Sequence, residues 1–193
     1  MTVVEEVRKI FIKACKNSSI FQEDYEIHTK IVEKLALKLA EKFNANKEIV
    51  HLSALLHDIG RVKFGGKDHE KISAEEAEKI LKELNVTDEI IAKVKECILL
   101  HRHSDPRIPE LLEAKILKIA DAWAHFVKPI GIVCYGVKRG FKIKESIEWV
   151  IKKLKRDLEF LERVNNFLDI GEVVKECKAN YDHFISLASN ENL

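Results

Sequence analysis

Six residues have the types and positions to hold a metal and move a proton: His28, His57, Asp58, His69, His101 and Asp121. His28 lies on an apolar stripe, with Ile31, Val32, Leu35 and Leu39 following at helical spacing. Asp121 does the same in KILKIADAWAHF, where Leu117, Ala120 and Ala124 share its face. His101 prolongs the apolar face of IIAKVKECILLH. A carboxylate on a buried stripe is costly unless a cation or several donors meet it. A lone core histidine is more often a hydrogen-bonded structural group, and a lone aspartate can cap a neighbouring helix. Four helices or helix ends each offering an inward imidazole or carboxylate are a ligand set for a first-row divalent ion. No cysteine lies near these positions, so a thiolate-bound structural zinc is not indicated.

His57 and Asp58 are neighbours, and adjacent helical residues point about 100° apart. They meet one target only if the helix ends there. Gly60 supplies that end, so both side chains can reach one ion, or Asp58 can bridge two.

The elements that position these residues are helices. The pattern predicts helices over 2–16, 24–43, from a cap at Asn44 or Asn46 to about Asp58, 73–84 (opened by a Ser73/Glu76 capping box), 87–102, 109–126 with Pro109 at its first position, 144–166 and 170–188. RVKFGGKDHEK (61–71) reads as a basic loop broken by Gly65-Gly66. IGIVCYGV (130–137) fits a strand or a buried helix equally. No repeat or linker divides the chain. A single domain over 1–193 is expected, with its motif-bearing core at about 24–135 and helices 144–188 packed on it.

The 193 residues are 46% hydrophobic and 34% charged, with net charge +1. That excludes a disordered chain and argues against a dedicated nucleic-acid surface. No apolar run approaches the ~20 residues of a membrane span, and no signal peptide is apparent, so a cytoplasmic location is expected. Cys15, Cys97, Cys134 and Cys177 are far apart and read as reduced core thiols.

The series His28, His57-Asp58, Asp121, with ALLHDIGR (54–61), HEKISAEEAEKIL (69–81), ILLHRHS (98–104) and ILKIADAW (116–123) around it, resembles the HD-domain metal-dependent phosphohydrolases, in particular small stand-alone members. The resemblance covers about residues 24–135. It implies an all-α helical bundle with His28, His57, Asp58 and Asp121 as ligands of a divalent metal (Mn, Ni, Co, Fe, Zn or Mg). His69 and His101 would bind a second metal or assist proton transfer, with Asp58 also catalytic. His103 is either in the site or a solvated loop residue. His51, His125 and His183 are read as structural or surface. Arg61, Lys63 and Lys67 are the nearest cations and can grip substrate phosphates or merely solubilise a loop. Asp68 and Glu70 can orient ligand imidazoles or balance the loop's charge. Where relatives often read ADRLDA, this chain reads ADAWAHF, so their substrate preference is not carried over to it, while the ligand assignment stands.

The implied activity is hydrolysis of a phosphoester or phosphoanhydride bond of a small nucleotide by a metal-activated water. The alternatives are an HD-type nuclease or cyclic-nucleotide phosphodiesterase, and a non-catalytic metal-bound regulatory module. The late helices either cover the pocket or make a homodimer.

Overall fold

The computed structural model describes residues 2–65 and 68–189. Among them the chain is all-α, with no strand. It divides into two compact units, residues 1–121 and 122–193.

The first unit opens with α1 (Val3–Lys16), started by a reciprocal cap. The Glu5 amide donates to Thr2 Oγ1 and the Thr2 amide to Glu5 Oε2. A π-helical turn (Tyr25–Thr29) leads into α2 (Lys30–Lys42). The expected single helix over 24–43 is thus interrupted at its start. A π turn inserts one residue and rotates the face that follows. The buried stripe becomes His28, Val32, Ala36, Leu39 and Ala40, while Ile31 and Leu35 are only half-buried.

Asn46, not Asn44, caps α3 (Lys47–Leu56), its Oδ1 accepting from the amides of Glu48 and Ile49 at 3.0 and 3.2 Å. Asn44 instead takes the left-handed φ of 53° beyond the end of α2. Helix α3 is buried nearly all round, as suits the centre of a core.

The helix break comes two residues before Gly60. Asp58 leaves helical geometry (φ −112°, ψ 11°), and α4 (Ile59–Phe64) restarts at once. Gly60 sits inside α4 because α5 (His69–Glu83) crosses there. A Cβ at position 60 would lie 2.6 Å from the Ser73 amide nitrogen and 2.9 Å from the Ile72 carbonyl carbon. The Gly60 amide donates to Ser73 Oγ at 3.0 Å. Ser73 is therefore a mid-helix contact and not a capping residue, and α5 begins four residues before it. The expected 61–71 loop shrinks to the few residues between α4 and α5; Gly66 and Lys67 lie outside the described residues.

Helix α6 (Asp88–Leu100) packs on α3 and α5. A loop then runs to α7 (Leu112–Val127), which starts three residues after Pro109. Fully buried Lys118 on α7 fastens that loop, donating to the carbonyls of Asp105 and Arg107 at 2.8 and 2.9 Å.

In the second unit, 130–137 is helical: α8 (Pro129–Lys138) has Pro129 at its first turn. Helix α9 (Ile143–Val164) buries Val150, Leu154, Leu158 and Leu161, the stripe its sequence shows. Helix α10 (Gly171–Ser189) completes the unit. Buried His125 donates from Nδ1 to Asp157 Oδ2 at 2.9 Å, and Trp123 Nε1 donates to Glu176 Oε1 at 3.0 Å. All four cysteines are free. Cys15, Cys97 and Cys177 are buried, but Cys134 is exposed, because α8 turns that face to solvent.

Candidate metal centre

His57 is the last residue to follow the geometry of α3, and its Nδ1 donates to the Ala54 carbonyl one turn back, at 2.8 Å. His101 repeats the device at the end of α6, donating from Nδ1 to the Ile98 carbonyl. In both, the i−3 carbonyl fixes the tautomer and turns Nε2 inward as the coordinating nitrogen.

Four imidazoles line up. Ring centroids are 5.3 Å apart for His28–His57 and for His57–His101, and 5.4 Å for His69–His101. Two carboxylates face them. Asp121 Oδ1 lies 3.0 Å from His28 Nε2 and 3.9 Å from His57 Nε2. Asp58 is divided between the two ends of the row. Its Oδ2 lies 3.4 Å from His57 Nε2 and 3.9 Å from His28 Nε2, while its Oδ1 lies 3.4 Å from His69 Nε2 and 3.9 Å from His101 Nε2. One ligand atom from each of His28, His57 and Asp58 falls within 4.8 Å of the others, and the same holds for Asp58, His69 and His101. The break in helical geometry at Asp58 lets it share targets with its neighbour.

Charge and burial act together here. Burial opposes charge on His57, but the Asp58 carboxylate, with help from Asp121, lifts the imidazole to about 9. A field that holds a proton at Nε2 also favours a metal cation there. Burial likewise opposes ionisation of Asp58, yet Arg61 and His57 hold its carboxyl well below the usual range. Burial pushes His69 down, and burial with the nearby His57 charge pushes His101 down to about 3. Burial thus disfavours charge on these two rings and leaves the unprotonated nitrogen that a metal ligand needs. Buried Asp58 Oδ1 has no hydrogen-bond partner, a costly state for a carboxylate oxygen that a cation between it, His69 and His101 would relieve. The residues present therefore fit a divalent metal.

The structure brings His103 into this cluster: it is buried, with Nε2 3.1 Å from Asp121 Oδ2. Arg61 meets Asp58 Oδ2, approaches Asp24 Oδ1 at 3.6 Å and lies over the Phe21 ring at 5.3 Å. Lys63 donates to Glu76 at 2.7 Å, and Lys67 lies outside the described residues. Glu70 accepts from Arg102 at 3.2 and 3.1 Å, and exposed Asp68 holds a left-handed φ of 58° before α5. Glu70 is thus oriented by a guanidinium rather than by an imidazole. His51 pairs with Glu33 at 2.5 Å, His125 with Asp157, and His183 is exposed.

Sequence reasoning missed Asp24. It is fully buried, accepts from Thr29 Oγ1 at 2.9 Å, and stands beside Arg61. Its position four residues before His28 was the available signal. Lys118 was signalled too, as a lysine on the apolar stripe of α7.

Comparison with known proteins agrees with this geometry. The chain is similar over 109 residues (51% of its length) to a tRNA (cytidine(56)-2'-O)-methyltransferase of Thermoplasma volcanium, at 34% identity. A protein of the same description from Picrophilus torridus is 34% identical over 104 residues. The match spans about a third of the length of these curated relatives, 31% and 29% respectively. Among solved structures, an HD-superfamily hydrolase from Bacillus thuringiensis superposes with TM-score 0.64 at 18% identity, covering 95% of this chain and 92% of that one. Bacillus subtilis YpgQ, solved in complex with ADP, gives TM-score 0.64 at 17% identity, covering 95% and 93%. These two share the fold. The HD domain family matches residues 25–124, a stretch that holds all six clustered residues and more than half of the chain. The chain belongs to the HD-domain family.

Proposed function

We propose that this protein is a metal-dependent phosphohydrolase acting on a small nucleotide. The observation that carries the reading is Asp58: a buried carboxylate with one oxygen toward His28 and His57, and the other, without a hydrogen-bond partner, toward His69 and His101. His28, His57, Asp58 and Asp121 would hold the principal metal, and His69 and His101 a second one across Asp58. Bound there, a divalent ion supplies Lewis acidity that brings the pKa of water from 15.7 towards about 7. With the principal metal alone, His69, half-buried at the end of the row, would instead be free to accept a proton at Nε2. Arg61 would leave Asp58 for a substrate phosphate, with Asp24 and Phe21 keeping its guanidinium close. Lys63 and Lys67 would add positive charge beside it. The ADP held by the Bacillus subtilis protein supports a nucleotide as the ligand class.

A second reading, an HD-type phosphodiesterase or nuclease acting on RNA, is favoured by the likeness to tRNA-modifying proteins. Mn, Co, Ni or Mg with a panel of mononucleotides, cyclic nucleotides and RNA separates the two. Phosphate or pyrophosphate released from mononucleotides supports the first, and cleavage of RNA alone would sink it. Asp58→Ala is expected to abolish both metal retention and hydrolysis while the helical circular-dichroism signal persists; activity surviving that change would refute the site.

A further inference from the structure

A groove of about 520 Å³ opens within residues 122–193, among α8, α9 and α10. Ile130, Val133 and Val137 of α8, Ile147 of α9, and Phe184 and Leu187 of α10 line it, and among the described residues Lys138 is the one charged member of the lining. Ile130, Val137, Phe141, Ile143 and Leu187 are each 45–58% exposed, although Phe141 is not part of the lining. Several large aliphatic side chains left exposed around one groove are a surface suited to a partner.

Charge narrows the occupant. The turn from α8 to α9, KRGFKIK (138–144), carries Lys138, Arg139, Lys142 and Lys144, and all seven residues are exposed. The next acid, Glu145, is folded back to accept from the Lys142 amide at 3.0 Å, leaving Glu148 as the nearest other carboxylate on α9. Residues 129–137 and 183–189 contain no acid. A second copy laid over this groove brings the same Arg139, Lys142 and Lys144, and among the described residues lining the groove there is no acid to meet them.

We infer that this groove docks an amphipathic helix of a partner protein, with its apolar side among α8, α9 and α10 and acidic side chains against the 138–144 turn. Helix-in-groove recognition needs these two parts, an apolar trough for residues at i, i+3, i+4 and i+7 and an oppositely charged rim.

Cys134 supplies the readout, because it lines the groove and is the exposed member of the four free cysteines. The probe is a synthetic eighteen-residue helix with leucines on one face and glutamates on the other. Its controls are a scrambled peptide of the same composition and a copy with lysine for glutamate. The full chain is titrated by fluorescence anisotropy, and alkylation of Cys134 by iodoacetamide is followed by mass spectrometry. Expected are saturable binding of the glutamate helix, weakening with salt, and protection of Cys134 that the scrambled peptide does not give. Combining Arg139→Glu, Lys142→Glu and Lys144→Glu, all on the surface, is expected to weaken that binding about tenfold or more and to transfer preference to the lysine helix. Val137→Asp, checked for retained helicity, is expected to weaken both helices. Absence of saturable binding, equal binding of the scrambled peptide, protection that rises with protein concentration alone, or stronger protection by phosphatidylglycerol vesicles than by the peptide would each overturn the proposal.

Discussion

Asp58 shows how one residue can divide its duties. The imidazoles around it come from the π turn, the ends of α3 and α6 and the start of α5, and its backbone leaves helical geometry so that its two oxygens face different imidazoles. His103 acts through Asp121, whose Oδ2 it approaches at 3.1 Å, and is a positioning residue. Groups that orient metal ligands typically account for about 10–100-fold in affinity. We therefore expect His103→Ala to weaken metal binding by about that factor, read by calorimetric titration, without removing a ligand. Unchanged affinity would show that Asp121 is held by other means. The imidazole at 103 gave little away in sequence because it sits in a loop, where periodicity says nothing about direction.

At the scale of elements, the site depends on close approach between α4 and α5. Gly60 has no room for a side chain, since a Cβ there meets the backbone of Ile72 and Ser73, which cannot swing aside. Gly60→Ala is expected to destabilise the protein by about 1–3 kcal/mol, read from urea unfolding, and to displace His57-Asp58 relative to His69. The junction of α1, α2 and α3 is polar. Glu33 on α2 takes both Arg8 of α1 and His51 of α3. Burial opposes its ionisation, but the hydrogen bonds from His51 and Arg8 outweigh this and lower its carboxyl below the ordinary value. The contribution of such a group is present above the unfolded carboxylate pKa of about 4.3 and is lost as pH falls through the lower folded value. Glu33→Gln should therefore lower stability at neutral pH by about 1–3 kcal/mol and flatten the loss of stability on acidification. Equal slopes for the two proteins in denaturation series from neutral to acid pH would contradict this.

For the whole molecule, a metal that binds the folded chain and not the unfolded one must raise stability. At a hundredfold excess over the dissociation constant this amounts to about 2.7 kcal/mol, or a melting shift of about 5–10 °C for a chain of this size. A chelator should lower the melting temperature by that amount, and restoring Mn or Co should reverse it. Chelation with no shift in a protein shown to carry metal would mean that the ion does not stabilise the fold. Among the described residues no helix is long and apolar enough to cross a membrane.

The helical class and the inward residues were legible in the chain because a polar group on an apolar stripe stands out at a 3.6-residue period. His28, His101 and Asp121 were visible in that way, and the adjacency of His57 and Asp58 already demanded a helix end. Periodicity identifies a face, but not what stands across from it. Only the tertiary structure placed Arg61 between Asp58 and Asp24, set Glu70 on Arg102, and moved Gly60 and Ser73 from expected helix termini to a crossing of two helices. The π turn that carries His28 was equally hidden, because its one-residue insertion is resolved by burying Asp24, His28 and Thr29 together and leaves no mark on local propensity. The sequence by itself determined which imidazoles and carboxylates the protein carries and in what order. Their convergence on Asp58 was decided by packing between helices distant in the chain, which no local pattern encodes.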